Sequence, residues 1–482
     1  MEKRTALSPS RTAYKSGGNQ SKSIMRSAHV EKIMNEWFRT AILCIILTCG
    51  SIESAIGLDQ MLRLKTRLTG SFGNPGPFGG FVAVGIAVAA GWLVSNKDAK
   101  WRATPLNDKV LFVLSFVSLL LGVLVLPASL SRAGWLAIGA AMLVLAFKEL
   151  NLKEYCLSHK WIAAMEVVLL TAGCAGAFAL KPKSALGRLH IWRIECMAMS
   201  KKPLSGFGTG KVLVAYGETQ AVFFKEKERK ELTIEIAGCP EYAFNEYLKV
   251  GVEHGMPAMA LSLTVVILLI CFLLRRKSAT AYGAIAFAVF ALFSYPSSLW
   301  QFKALALVLL TDGAISLRTN AAFKYFVCLV FLGAALTVTI RKPSPREERF
   351  RKIYADGYAL HLAKDYIKSN EILKEGAKIS SDPMFHNIIG KNYESLGDYD
   401  NAEAEYLHSH YMVPSRLYPF ILLMEMKLRQ GDEDAALKFG EMAISLPVNH
   451  RNANMEELHR RSSACIDSLK IKRLRHESSS SN

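Results

Sequence analysis

Apolar residues dominate the chain between about Trp37 and Ile340, where runs of Leu, Val, Ala, Ile and Phe are interrupted by short polar or basic connections. Several runs approach the 20 or so residues that an α-helix needs to cross the roughly 30 Å hydrocarbon layer of a bilayer. The pattern predicts an all-α, polytopic membrane protein with about nine spans. The predicted spans lie at about 38–58, 77–95, 109–127, 133–148, 161–180, 256–274, 281–296, 299–316 and 322–340.

Basic residues between the spans predict how the chain is oriented, since Lys and Arg favour the cytoplasmic side. Residues 1–36 are polar and basic and lack the apolar core of a signal peptide, so we expect a disordered cytoplasmic tail. Nine spans then place the long polar loop 181–255 outside. The basic residues after Ile340 would also lie outside, against the charge rule, unless 299–316 does not span. The side of the C-terminal tail therefore stays open, and we favour the outer side.

After Pro345 the chain changes to amphipathic helical patterns with an internal repeat. Gly397 and Ala402 recur as Gly431 and Ala436, and both offsets equal 34 residues. This is the period of tetratricopeptide helix pairs, although a generic helical bundle would also fit. We predict domain boundaries at 1–36 for the basic tail, 37–342 for the membrane domain, 346–470 for tetratricopeptide-like repeats and 471–482 for a disordered end.

The net charge of +18 changes this picture little. Much of the basic charge flanks apolar segments, where Lys and Arg meet anionic headgroups, so membrane lipids are the expected partners and nucleic acid is not. Nucleic-acid motifs and zinc-ligand spacings are both missing from the sequence. The nine cysteines contain no C-x-x-C pair, so the sequence indicates neither a metal site nor a disulfide framework.

Candidate chemistry is concentrated in short motifs on the side of the membrane assigned to the long loop. Arginine is costly beside membrane spans and is more often functional than incidental there. The motifs are Gly70-Ser-Phe-Gly-Asn74-Pro75, Ser131-Arg132-Ala-Gly-Trp135, Gly187-Arg188-Leu-His190-Ile-Trp192, Pro203-Leu-Ser-Gly206-Phe-Gly208, Phe244-Asn245-Glu246-Tyr-Leu248 continuing to Gly255, and Tyr295-Pro296.

In this order and spacing, the motifs resemble those of the bacterial O-antigen ligase and O-antigen polymerase family, which also includes protein O-oligosaccharyltransferases. The resemblance implies a multi-pass glycosyltransferase of the bacterial inner membrane, with loop 181–255 in the periplasm. The donor would be an oligosaccharide on undecaprenyl diphosphate, and the acceptor a hydroxyl on a glycan, a lipid or a protein. The chemistry would need no metal or cofactor and would invert the anomeric centre. The repeats would bind a protein partner, because stacked helix pairs present a concave surface.

Three arginines are the candidates for binding the donor diphosphate. Negative charge builds on the departing diphosphate, and arginine offers permanently charged, paired donors for it. Arg132 lies in a short turn, and Arg188 and Arg193 lie at the start of the loop. Alternatively, Arg132 snorkels to the membrane surface and Arg188 is a flanking charge.

Polar side chains near these arginines are the candidates for binding substrate. We assign this role to Asn74, His190 and Asn245. Asn74 lies in a Gly- and Pro-rich turn, so its side chain could alternatively cap that turn.

The acceptor hydroxyl must lose a proton, so a base is required. Many members of the family carry His-Asn before the Glu-Tyr-Leu segment, but this chain has Phe244, which cannot accept a proton. Glu246 and His254 are therefore the predicted catalytic residues, with His190 as a further candidate base. Burial would raise the pKa of a carboxyl group such as Glu246, whereas a histidine needs no such tuning.

A second departure from the family concerns the N-terminal spans. Family members usually carry several spans before the Gly-Asn-Pro turn, and this chain has one. One alternative is therefore a truncated, non-catalytic member that acts as a binding or assembly subunit. Another is a lipid or glycan transporter, although the matching halves typical of transporters are missing from the sequence.

Overall fold

A computed structural model describes residues 13–99, 104–149, 158, 176, 182–226, 230–317, 319–341, 346–446 and 453–480. Nineteen α-helices and no β-strand occur among these residues. The predicted all-α fold is confirmed. The helices are α1 (Ala13–Leu62), α2 (Pro75–Ser95), α3 (Leu106–Ala128), α4 (Arg132–Glu149), α5 (Pro182–Lys201), α6 (Val212–Glu226), α7 (Glu231–Ile236), α8 (Glu246–His254), α9 (Met256–Arg275), α10 (Thr280–Phe293), α11 (Trp300–Ile315), α12 (Ala321–Arg341), α13 (Arg346–Leu362), α14 (Tyr366–Ala377), α15 (Met384–Ser395), α16 (Tyr399–Met412), α17 (Tyr418–Arg429), α18 (Glu433–Ser445) and α19 (Ala453–Ser480).

Helices occur at eight of the nine predicted spans, and the ninth, at 161–180, lies almost entirely outside the described residues. Five of the described helices are long and apolar enough to cross a membrane: His29–Leu62, Pro75–Ser95, Leu106–Ala128, Met256–Arg275 and Ala321–Arg341. Helix α10 is also apolar but shorter. The chain is therefore a polytopic membrane protein, and the exact number of spans stays a prediction.

The chain divides into two compact units, of which the first contains most of the apolar helices. It comprises residues up to Tyr155 together with Ile267–Phe290 and Leu299–Lys342. Helix α2 packs against α1, α3 and α4 and is buried over most of its length. Its small residues make this possible, because a side chain at Gly80 would overlap the ring of Phe290.

The second unit comprises Cys156–Val266, Ala291–Ser298 and the chain from Pro343 onward. It thus combines the helices of the long polar loop, α5 to α8, with the C-terminal helices α13 to α19. Consecutive C-terminal helices pack against each other, and α6 packs against α16. This unit carries most of the candidate site residues.

A turn with the same construction precedes three of the C-terminal helices. The residue before each helix cap has a positive φ, and the cap is an aspartate whose side chain accepts a hydrogen bond from the N–H three residues on. The aspartate N–H in turn donates to the carbonyl five residues earlier, which satisfies the end of the preceding helix. The residue pairs are Lys364 and Asp365, Gly397 and Asp398, and Gly431 and Asp432. The tetratricopeptide interpretation of these repeats stays a prediction.

Both ends of the chain contain more helix than the sequence pattern indicates. Helix α1 begins at Ala13, within the stretch expected to be a disordered tail, and α19 continues to Ser480, beyond the predicted end of order at 470. The C-terminal extension has a physical cause. Lys472 pairs with Glu433 on α18, and Lys470 lies 2.7 Å from Glu441 on the same helix. These ion pairs join the C-terminal part of α19 to α18.

Candidate functional site

Helix α5 carries the arginine motif and presents two different faces. Residues three, four and seven positions apart share a face of an α-helix, so Arg188, Trp192 and Glu195 lie together. Arg188 Nη1 donates a hydrogen bond to the carbonyl oxygen of Phe293 at 2.9 Å. Its guanidinium carbon also lies 5.0 Å from the centre of the Phe244 ring, within the range of a cation–π contact.

The Phe244 ring that contacts this arginine belongs to a cluster of three aromatic rings. The ring of Tyr242 stacks on Tyr295 at 3.7 Å, and Phe244 meets Tyr295 edge to face at 5.4 Å. Phe244 has a φ of 55°, a left-handed conformation that is unusual for an aromatic residue. Backbone strain of this kind is often found at functional sites. The conformation turns the chain directly before α8.

Glu246 is the first residue of α8 and is bound to the same 291–298 segment as Arg188. Its carboxylate accepts hydrogen bonds from the Ser297 N–H at 2.7 Å and the Ser297 hydroxyl at 2.6 Å. Lys249 Nζ lies 3.6 Å from the Glu246 carboxylate and donates to the Ser297 hydroxyl at 2.6 Å. Acidic residues are favourable in the first turn of a helix. Glu246 is therefore a well-positioned carboxylate.

Glu195 is a candidate residue that the sequence analysis does not identify. Only 1% of its surface is exposed, and its Oε2 has no hydrogen-bond partner among the described residues. Burial raises the pKa of Glu195 well above its usual value, and the nearby Glu246 carboxylate raises it further. Both effects favour the protonated form of the side chain. The one signal in the sequence is its position, seven residues after Arg188 on the same helical face.

His190 lies on a different face of α5 from Arg188 and is buried in a hydrogen-bond network. Its Nε2 is 2.9 Å from Gln220 Oε1, and Gln220 also accepts from the Tyr216 hydroxyl at 2.5 Å. The Gln220 amide donates to the carbonyl of Met412 at 2.5 Å. Burial lowers the pKa of His190, an effect that the Gln220 hydrogen bond opposes and nearby Arg193 adds to. His190 thus links α5 to α6 as a neutral side chain.

Arg193 lies beside His190 and away from the face that carries Arg188. Its guanidinium carbon is 5.1 Å from the centre of the Phe223 ring. The phenyl ring belongs to α6, so the contact holds α5 and α6 together. The assignment of Arg193 to the diphosphate stays a prediction.

The glycine-rich loop after α5 packs directly on the end of α8. Phe207 and Gly208 donate their N–H groups to the carbonyls of Val252 and Glu253 at 2.9 and 2.8 Å. A side chain at Gly206 would overlap the backbone of Glu253, and its φ is +65°. His254 ends the helix, with 44% of its side chain exposed and its Nε2 4.0 Å from Glu253 Oε2. The motif thus fixes the helix that carries Glu246 and His254.

The two candidate asparagines occupy helix caps. The Asn245 side-chain oxygen accepts from the N–H groups of Tyr247 and Leu248, both at 3.0 Å. The Asn74 oxygen accepts from the Gly76 N–H at 2.9 Å and caps α2. Side chains at such positions satisfy the unpaired N–H groups of the first helical turn. The substrate-binding role of both residues stays a prediction.

Arg132 begins α4 and follows a turn joined to the Gly-Asn-Pro motif. The Ser131 hydroxyl donates to the carbonyl of Gly76 at 2.9 Å and accepts from the Gly134 N–H at 3.2 Å. Leu130 has a φ of 54°. These contacts bring two of the sequence motifs together within the first unit. Arg132 is half-buried beside this junction.

The predicted site residues are thus distributed over both units. Asn74 and Arg132 belong to the first unit, and the six others belong to the second. Within the second unit, Arg188 and Glu246 are tied to one segment, and His254 ends the helix that Glu246 begins. His190 and Arg193 lie on the α6 side of α5.

Comparison with known families adds to this geometry. The family model described as O-antigen ligase matches residues 116–263. This segment is an O-antigen ligase domain. The resemblance inferred from the motifs is confirmed, and the match does not include the C-terminal repeats. No curated protein and no solved structure matches the chain.

The O-antigen ligase domain contains every predicted site residue except Asn74, as well as Glu195. The domain is characteristic of membrane glycosyltransferases of the O-antigen ligase or polymerase type, which act on lipid-linked glycans. The chain is thus a multi-pass membrane protein that carries a domain of this glycosyltransferase type. Donor, acceptor and mechanism are matters for the proposal that follows.

Proposed function

We propose that the chain transfers an oligosaccharide from undecaprenyl diphosphate to an acceptor hydroxyl in a metal-independent, inverting reaction. The observation that carries the proposal is that Arg188 and Glu246 are both bound to the 291–298 segment. A cation for the leaving group and a carboxylate for the acceptor are thereby held in one frame. The frame also includes the aromatic rings of Phe244 and Tyr295.

Breaking the bond between the anomeric carbon and the diphosphate transfers negative charge to the leaving oxygen. The Arg188 guanidinium stabilises that charge with paired N–H donors, and it carries its charge at all physiological pH values. The Phe293 carbonyl and the Phe244 ring orient it. The sequence motifs assign Arg132 and Arg193 to the diphosphate as well, and this part of the proposal rests on the motifs alone.

The acceptor hydroxyl attacks the anomeric carbon from the face opposite the diphosphate, so the reaction inverts that centre. Glu246 removes the hydroxyl proton as the new bond forms. Ser297 and Lys249 hold the carboxylate in place through the contacts described above. Burial raises the pKa of Glu195 and so favours its protonated form, which can donate a hydrogen bond without repelling the diphosphate. His254 is the alternative base.

The location of the reaction follows from the same proposal. Donors of this class are exposed on the outer face of the bacterial inner membrane, so loop 181–255 lies in the periplasm. The positive-inside rule agrees with this placement, because the basic connections then face the cytoplasm. The C-terminal repeats are placed in the periplasm as well, where they would bind a protein partner or a protein acceptor.

The test is glycan transfer in cells that lack the endogenous gene, at matched membrane levels of each variant. We expect Arg188→Ala to lower transfer by roughly 100-fold or more, the usual cost of losing one stabilising donor at a developing anion. The lipid-linked donor should accumulate, and Arg188→Lys should restore only part of the activity. Glu246→Gln should be equally inactive, and the glycoconjugate that disappears identifies the acceptor.

Lys183→Ala is the matched control, since Lys183 is a charged residue on the same helix that pairs with Glu235. Its transfer rate should equal that of the wild type. Unchanged transfer in Arg188→Ala would refute the diphosphate role. A wild-type chain that binds the donor but never forms a glycosidic bond would indicate a binding or assembly subunit instead.

A further inference from the structure

Two histidines and a glutamate from separate helices meet in the second unit. Glu218 lies on α6 of the O-antigen ligase domain, His386 on α15 and His408 on α16. One potential ligand atom from each residue lies within 4.8 Å of the other two. His408 Nε2 is 3.3 Å from Glu218 Oε1, and the two imidazole rings have their centres 4.6 Å apart. None of these side chains belongs to the Arg188 and Glu246 frame.

A fourth side chain orients one of the histidines. Glu405 on α16 lies 2.7 Å from His386 Nδ1. A carboxylate in this position keeps the proton on Nδ1 and leaves the lone pair on Nε2, which is the form that binds a metal ion. Metal-ligating histidines almost always have such a partner on their second nitrogen. The arrangement is therefore that of a ligand set with its supporting residue.

The helices that carry the cluster are fixed by contacts independent of it. Gln220, two residues after Glu218, donates to the Met412 carbonyl at 2.5 Å at the end of α16. Gly217 lies against Ser381 and Met412. The Ser409 hydroxyl, next to His408, bonds to the Pro383 carbonyl at 3.3 Å, just before α15. Contacts that do not involve the ligand side chains thus hold the backbone at the three ligand positions.

The required adjustment is small. Ligands at about 2.0–2.1 Å from a tetrahedral zinc ion lie about 3.3 Å from one another. The His408 to Glu218 separation already has this value. Imidazole nitrogens and one carboxylate favour zinc and its neighbours in the first transition row over magnesium or calcium, which prefer oxygen ligands only.

We propose that Glu218, His386 and His408 form a binding site for a zinc-class divalent ion, with Glu405 orienting His386. Three protein ligands leave a fourth coordination position for water or another ligand. The ion would join α6 of the O-antigen ligase domain to the C-terminal helices α15 and α16. It would therefore stabilise the packing of the repeats on this domain, and it takes no part in the proposed glycan transfer.

The test uses the full chain, purified in detergent with a tag that contains no histidines. After dialysis against chelator, zinc chloride is titrated and bound metal is measured by calorimetry and elemental analysis. We expect about one zinc ion per chain and a zinc-dependent rise in melting temperature. The His386→Ala and His408→Ala double variant should bind at least roughly 100-fold more weakly, and Glu405→Gln roughly 10-fold.

His459→Ala is the matched control, because it removes a histidine from α19 and leaves the cluster intact. It should bind zinc like the wild type. Cobalt gives a second readout, since a visible absorption band of a nitrogen- and oxygen-ligated ion should appear only when the cluster is intact. Wild-type protein that binds no zinc, or a double variant that melts normally without zinc and still binds it like wild type, would overturn the proposal.

Discussion

At the scale of single residues, Glu195 is the clearest case of a side chain whose chemistry is created by its surroundings. In the sequence it is one of many glutamates, distinguished only by its position seven residues after Arg188. In the folded chain it is almost fully buried and close to the carboxylate of Glu246. Both effects raise the pKa of Glu195 and favour its protonated form, whereas the sequence alone suggests an ordinary charged carboxylate.

This protonation has a consequence for stability with a definite sign. A carboxyl group whose pKa is raised on folding destabilises the folded state as the pH rises above its unfolded value of 4.5. Glu195→Gln keeps the shape and removes the titration. We expect the variant to melt at a higher temperature than wild type at pH 8, and the difference to disappear towards pH 4.5. Thermal unfolding in detergent across this pH range measures it.

Glu226→Gln serves as the control for that comparison, since Glu226 is an exposed carboxylate on α6. The melting temperature of the Glu226→Gln variant should equal that of the wild type at every pH. If Glu195→Gln is less stable than wild type at pH 8, the side chain is charged in the folded protein, and its proposed role as a neutral donor fails.

At the scale of elements, helix positions could largely be predicted from the sequence. The apolar runs at 77–95, 109–127 and 256–274 agree with α2, α3 and α9 to within about three residues, a normal uncertainty for helix ends. The expected span 281–296 ends earlier, at Phe293, because Pro296 disfavours helical backbone before it. Phe293 is the last residue of the shortened helix, and its carbonyl accepts the hydrogen bond from Arg188. Ser297 lies beyond the helix and binds Glu246.

The glycine-rich loop after α5 supports α8 through the close contact of Gly206 with Glu253, and this contact can be tested. Gly206→Ala should destabilise the chain by at least about 2 kcal/mol, because it combines a left-handed backbone with an overlap against Glu253. Gly210→Ala is the matched control, since it also has a positive φ but no atom within 4 Å of an added side chain. It should cost about 1 kcal/mol. Denaturant unfolding in detergent compares the two, and equal losses would contradict the packing role of Gly206.

At the scale of the whole molecule, the sequence predicted the class of protein far better than its functional groupings. Ordered motifs identified the O-antigen ligase domain, since motif order survives without knowledge of contacts. The histidine cluster gave no sequence signal, because Glu218 and His408 are 190 positions apart. His190 illustrates the same limit, since its place in a motif did not reveal that it packs against α6. Such groupings depend on tertiary packing, which local patterns do not encode.

His410, on α16, is a second buried histidine, and its burial should make the stability of the folded chain depend on pH. Burial lowers the pKa of His410 to about 4, and its ring lies 4.0 Å from that of Phe420. Because the folded pKa is depressed, the stabilising contribution is present above pH 6.5 and is lost as the pH falls towards 4. We expect a loss of about 2 kcal/mol between pH 8 and pH 5.

His410→Phe should remove this part of the pH dependence. Hydrogen exchange of α16 and α17, corrected for the intrinsic effect of pH, measures the change locally. His361→Phe, which alters a histidine of α13, is the comparison variant and should retain the wild-type dependence. If His410→Phe loses as much protection at pH 5 as the wild type, another group is responsible.

The aspartate-capped turns at Asp365, Asp398 and Asp432 have an evolutionary consequence. Each turn both terminates one helix and starts the next, with its polar backbone groups satisfied locally. A segment cut from one turn to the next therefore carries complete helix ends. In-frame gene duplication or deletion over this period would lengthen or shorten the tail without creating an unsatisfied terminus. The tail can thus diversify by whole units while the O-antigen ligase domain remains under its own selection.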